Sequence, residues 1–387
     1  MKIKSFVLMS AFIAFASTSF GQSSNLRKAA SNIQKYDELR MAGTPQLGKS
    51  YLTQAKEAID AATAHDKTKD LAETWVYYSL VYGNLASEEK SQAHADNAAQ
   101  GIAKVKELDK DNKHADNLAV AVQLLGAYNF NSGVAQWEKQ NYKGAYDAFT
   151  NALEYMPGDT TLTYYSGLAA IQNKEYEKGI EKYKELLERK DFSSHKIVMI
   201  DLPKLYLSLQ DTAAALEYAA KATQAYPDDK DAVVQNIELN LIAGNNEKIV
   251  SDIQAQLAKD NQNKNLYYYL GLAESGNNNP EKALEAYKKA VEIDPNYADA
   301  NLNAGVVLMN QVRDLLNELN NSSVSASEQN AKLKELKENL KPVEQYFSKV
   351  LEVEPANSSA LRGLKNYYDF TENEEKSKEI AERIENL

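Results

Sequence analysis

Residues 264–297 read KNLYYYLGLAESGNNNPEKALEAYKKAVEIDPNY, and their internal spacing decides the fold. Small residues stand at Gly271, Ala283 and Ala290, an aromatic at Tyr287, and a proline closes the stretch at Pro295. The segment 126–159 carries the same string as Gly133, Ala145, Phe149, Ala152 and Pro157, with identical intervals of 12, 4, 3 and 5 residues. The three- and four-residue steps place the alanines and the aromatic on one helical face. A glycine and two alanines on that face let a second helix axis approach closely. Proline cannot continue a helix, so Pro157, Pro227, Pro295 and Pro355 mark helix ends. The Asp, Asn and Gly residues beside them supply turn and cap chemistry.

The intervals between copies give a period of 34. Gly133 to Gly167 is 34 residues and so is Gly271 to Gly305, while Pro227 to Pro295 is 68. Ala215 and Ala222 precede Pro227 at the offsets that Ala283 and Ala290 have before Pro295. The chain resembles the tetratricopeptide repeat family, whose unit is a 34-residue helix–turn–helix. The resemblance is carried most fully by 126–159 and 264–297. It extends to 160–195, where Gly179 replaces an alanine, and to 196–229, where Pro203 takes a small-residue slot. Residues 230–263 keep only the length, with Ile237 and Ile249 at small positions. The resemblance implies an all-α, right-handed solenoid of stacked antiparallel helix pairs. It also implies that the first helix of each pair lines a binding face.

Around that array the chain divides into four parts. Residues 1–21 have the pattern of a secretory signal peptide: Lys2 and Lys4, the apolar run Phe6–Ser17, then small residues at Ser19 and Gly21. That run is too short to cross a bilayer, which needs roughly 20 apolar residues. Residues 22–125 carry helical patterning over 52–62, 71–85 and 93–108 without clean repeats, 126–297 form the regular array, and 298–387 hold the last repeats. Pro295 to Pro355 spans 60 residues, so an elongated helical hairpin is expected over about 308–350. Val312, Leu315, Leu316 and Leu319 lie on its outgoing arm, Asn320–Ser327 form its loop, and Leu333, Leu336, Leu340, Val343 and Phe347 lie on its return. Pro342 is expected to kink that return. The hairpin reads either as a contact arm or as a neutral insertion.

The chain has no cysteine, which excludes disulfides, thiolate metal sites, a cysteine nucleophile and the lipid-bearing cysteine of a lipoprotein. Its net charge of −11 disfavours nucleic acid and anionic lipid. His65, His94, His114 and His195 are too scattered to share a metal. Asp109, Asp111 and Asp116 suggest a calcium loop but lack its glycine and closing glutamate, so they read as a capped turn. No phosphate-cradling loop, nucleophile elbow or dinucleotide fingerprint occurs, so no catalytic residue, cofactor or metal is expected. Phe130, Tyr164 and Tyr268 each lie three residues before their unit's glycine, and Trp137 stands two turns beyond Phe130. These four are the candidate lining of a groove, because Tyr and Trp combine large contact area with a polar handle. The alternative is that such rings pack between helices, as expected for Tyr165, Tyr267 and Tyr269. The resulting expectation is a non-enzymatic scaffold for a protein or peptide partner, exported to the periplasm or outer membrane, where it joins an envelope complex peripherally. The alternatives are a carbohydrate-binding envelope protein and, last, an enzyme.

Overall fold

The computed structural model describes residues 24–321 and 325–387; the expected signal peptide lies outside them. The described residues form helices and turns, with no strand among them. They belong to two compact units, the first ending at Asp211 and the second beginning at Thr212. The first holds α1 (Ser24–Met41), α2 (Pro45–Thr63), α3 (Ala72–Glu89), α4 (Gln92–Leu108), α5 (Ala115–Glu138), α6 (Tyr142–Tyr155), α7 (Thr160–Gln172), α8 (Tyr176–Leu187) and α9 (His195–Ser208). The second holds α10 (Thr212–Ala225), α11 (Lys230–Ile242), α12 (Asn246–Leu257), α13 (Lys264–Gly276), α14 (Pro280–Ile293), α15 (Ala298–Asn321), α16 (Ala326–Asn339), α17 (Val343–Val353), α18 (Ser358–Phe370) and α19 (Glu374–Glu385). Within each unit helices adjacent in sequence pack on one another, except around α16, since α15 packs chiefly on α17 and only lightly on α16.

In the four hairpins that carry both, the glycine and the aromatic touch. A methyl group on Gly133 would lie 2.5 Å from the Phe149 ring, and one on Gly305 would lie 2.7 Å from the Phe347 ring. Gly271 meets Tyr287 in the same way, and Gly167 meets Tyr183. Phe149, Tyr183, Tyr287 and Phe347 are fully enclosed, as are Ala145, Ala152, Ala215, Ala222, Ala283 and Ala290. Each ring therefore inserts where the facing helix has no side chain, which sets how closely the two helices approach. Pro157, Pro227, Pro295 and Pro355 each follow a helix end by two residues. Two residues further on, Asp159, Asp229 and Asn357 cap the next helix, as when the Asp159 carboxylate accepts the Leu162 N–H at 2.9 Å.

The turn that follows each first helix also repeats. Lys90, Gln140, Lys174, Gln210, Gly244 and Asn278 all have φ between 51° and 75°. Each stands seven residues after the unit's Gly83, Gly133, Gly167, Pro203, Ile237 or Gly271. This places α3–α4 in the same register as the array: Gly83 and the enclosed Ala95 are 12 residues apart.

Three sequence expectations differ from the structure. The 125/126 division falls inside α5, which starts at Ala115. Asp109 closes the preceding turn by accepting the N–H groups of Lys113 (3.0 Å) and His114 (2.8 Å), and helix resumes directly after it. Pro342 does not kink a continuous arm but separates α16 from α17, with Leu340 and Val343 enclosed on either side. The Asn320–Ser327 loop is shorter than expected, because α15 runs through Asn321 and α16 begins at Ala326.

Candidate interaction surfaces

Of the aromatic residues chosen from sequence, Phe130 is buried, whereas Trp137, Tyr164 and Tyr268 are half-exposed. Phe130 is 3% exposed and lies behind the surface, with ring centroids 5.7 Å from Phe149 and 6.1 Å from Tyr165. Its register points it at the aromatic of its own hairpin rather than into solvent. Tyr164 occupies the same register and is half-buried, stacked on Tyr183 at 5.9 Å with the rings 5° from parallel. Tyr268 repeats the relation to Tyr287 at 6.1 Å and also meets Tyr297 at 5.3 Å. Burial pushes the Tyr164 and Tyr268 hydroxyls up, with Asp201 and Asp299 adding to the effect. Trp137 is half-buried with its ring edge-on to Tyr142 at 5.1 Å. Tyr268 belongs to the second unit, whereas the other three belong to the first.

Other tyrosines join helices through their hydroxyls. Tyr36 donates to Glu88 at 2.9 Å, Tyr82 to Asp60 at 2.8 Å, Tyr269 to Glu238 at 2.6 Å and Tyr368 to Glu344 at 2.9 Å. Two of these bonds carry a lysine as well. Lys56 donates to Asp60 at 2.8 Å and lies over the Tyr82 ring, and Lys376 donates to Glu344 at 2.6 Å and lies over the Tyr368 ring. The carboxylates are therefore committed to holding neighbouring helices together. Tyrosine frequency in this chain is largely an account of interhelical packing.

Half-exposed apolar surface remains on the first helices of the hairpins. In the first unit it comprises Trp137, Tyr164, Leu168 and Ile171. In the second it comprises Tyr268 and Leu272 on α13 with Leu302, Val306 and Met309 on α15. The α15–α16 arm covers most of its own stripe: Val312, Leu319, Leu336 and Leu340 are buried, and Leu316 stays 40% exposed. Lys332 donates to Glu318 at 2.7 Å across the two arms. Among the described residues no three metal-binding side chains cluster, and no helix is long and apolar enough to cross a membrane.

Comparison with known proteins agrees with this geometry. Residues 130–194 match a family model described as tetratricopeptide repeat, and residues 277–312 match one described as TPR repeat. The first segment contains the Gly133–Phe149 and Gly167–Tyr183 contacts whole, and the second contains Tyr287 and Gly305, one member of each of two further contacts. No curated protein matches the chain. Among solved structures it is similar to the C-terminal part of a TPR repeat-containing protein from Cytophaga hutchinsonii, at 16% identity over 66% of this chain and 93% of that one, TM-score 0.48. It is also similar to YrrB, described as a TPR protein with an unusual peptide-binding site, at 21% identity over 45% and 88%, TM-score 0.37. MamA from Desulfovibrio magneticus RS-1 aligns at 20% identity over 52% and 98%, TM-score 0.38.

Proposed function

We propose that this chain is a non-enzymatic scaffold that binds a protein or peptide partner, and that it is exported to work in a bacterial cell envelope. One contrast carries the binding reading. The tyrosine hydroxyls and carboxylates described above are engaged between helices, while Trp137, Tyr164, Leu168 and Ile171, and Tyr268, Leu272, Leu302, Val306 and Met309, stay half-exposed on first helices. Such surface suits apolar side chains of a partner with aromatic anchors at its centre. Export is supported by the leader-like sequence of residues 1–21. The carbohydrate alternative would use the same half-exposed rings of Trp137, Tyr164 and Tyr268, and a glycan array run beside the capture separates the two readings.

The test is capture from envelope extract by the chain beginning at Gln22, with Trp137→Ala and Tyr268→Ala beside it. Specific retention of one protein by the parent chain, lost in a variant that melts normally, supports the reading. Equal retention by all three chains refutes it. Amino-terminal sequencing of the fractionated protein tests export: a start near Gln22 is expected, and an intact Met1 in the cytoplasmic fraction would overturn that part.

A further inference from the structure

α15 is 24 residues long, and two stripes run along it. One, through Ala304, Leu308, Val312 and Leu319, is buried against the core and the returning arm. The other was not read from the sequence. Leu302, Val306, Met309, Arg313 and Leu316 succeed one another at steps of four, three, four and three residues. That spacing averages 3.5 residues and keeps all five side chains on one face of the helix. Val306 is 39% exposed and Leu316 40%, with Leu302 and Met309 half-buried between Val306's neighbours and the core. At about 1.5 Å per residue the stripe is about 21 Å long. It begins near Tyr268, which packs against the same apolar cluster as Leu302 and Met309, and ends on the projecting arm. The first-helix face and the arm are therefore continuous along this one helix.

We propose that this stripe is a docking seam for an amphipathic helix of a partner protein, one that sets a carboxylate against Arg313. The inference rests on the protein-binding reading above and names the partner's class. A 4-3-4-3 apolar row on a straight helix matches the seam that packs knobs into holes, and it fits a second helix better than an extended strand, whose side chains repeat every two residues. Arg313 interrupts the row where such a seam uses one polar residue to choose its partner. Its side chain is 67% exposed and its Nε forms a 3.6 Å ion pair with the equally exposed Asp314, a pairing weak enough for a partner's carboxylate to share or replace. Arg313 also borders a groove of about 320 Å³ whose lining includes Asn278, Pro280, Val307, Asn310 and Asp314. A parallel second copy of α15 would set Arg313 against Arg313, so charge favours a different chain.

The probe is a synthetic helix of about 16 residues, long enough to span the seam at 1.5 Å per residue. It carries leucines at the seam positions and a glutamate at the position facing Arg313. Sister peptides carry lysine there or a central proline. Binding to the chain from Gln22 is read by fluorescence anisotropy. The glutamate helix is expected to bind saturably, with affinity roughly tenfold lower for Leu316→Asp or Val306→Asp. Arg313→Glu is expected to transfer preference to the lysine helix. Equal binding of the three peptides, or binding indifferent to Leu316→Asp, overturns the proposal. So does a dimer of the chain alone that Leu316→Asp dissolves. If the helix fails while a captured native partner is still released by Tyr268→Ala, the scaffold reading survives and only the seam falls.

Discussion

Replacing Gly133 by alanine sets two effects of opposite sign against each other. Alanine is favoured over glycine inside a helix by about 1 kcal/mol, so at an open position the change would stabilise. At Gly133 the new methyl would lie 2.5 and 2.6 Å from two ring carbons of Phe149. Phe149 is fully enclosed and held by Phe130 at 5.7 Å and Tyr165 at 5.9 Å, so its ring cannot move aside without displacing both. Overpacking of this kind costs about 1–3 kcal/mol, which exceeds or cancels the propensity gain. The net expectation is destabilisation of about 1 kcal/mol, concentrated in α5 and α6. Repeat stacks need not unfold in one step, so the assay is amide hydrogen exchange resolved by helix, supported by urea denaturation. Phe149→Leu should cost stability alone but absorb most of the Gly133→Ala penalty, giving a coupling of about 1 kcal/mol in a double-mutant cycle. A Gly133→Ala chain more stable than the parent, or strict additivity with Phe149→Leu, would refute the contact as the determinant of helix spacing.

Three other outcomes follow from the same structure. Lys174 holds φ of 63° in a turn where Gly244 fills the equivalent place, so Lys174→Gly should stabilise by about 0.5–1 kcal/mol in urea denaturation. Gln235 is 9% exposed and both polar atoms of its side chain lack a hydrogen-bond partner, so Gln235→Leu should raise the thermal midpoint, by about 1 kcal/mol in stability terms. Burial pushes the hydroxyls of Tyr77 and Tyr287 up to about 12 from 10.0. A group raised on folding contributes stability that is complete below its unfolded value and is lost as pH climbs towards the folded one. Stability should therefore hold to about pH 10 and fall between there and about pH 12, and Tyr287→Phe should flatten that fall in urea titrations.

The period was legible because the residues that carry it are those whose size sets the helix spacing. Gly133, Ala145, Phe149 and Ala152 cannot change freely without moving a helix, so they stand out against variable neighbours. The α3–α4 hairpin was harder to see for the same reason inverted. Gly83 and Ala95 keep the spacing, but Ala99 stands where the aromatic would be and no proline closes the unit. Register alone could not tell which way Phe130 faces, because the ring that receives it lies on another helix. The seam on α15 was hidden by a stronger signal. Leu315 and Leu316 are adjacent, and the row through Val312 and Leu319 drew the reading to the buried face, leaving Leu302, Val306 and Met309 unremarked.

Phe347 meets Gly305 although 42 residues separate them, where Gly133 and Phe149 are separated by 16. The hairpin thus closes over its insertion with the same joint that closes the uninterrupted ones. Between the two contact points, Leu308, Val312, Leu336 and Leu340 still pack into the core around Phe347, so only the tip of the arm lies outside the stack. Shortening the arm at its tip leaves that core in place, whereas cutting it back to the Gly305–Phe347 joint removes four buried side chains from it.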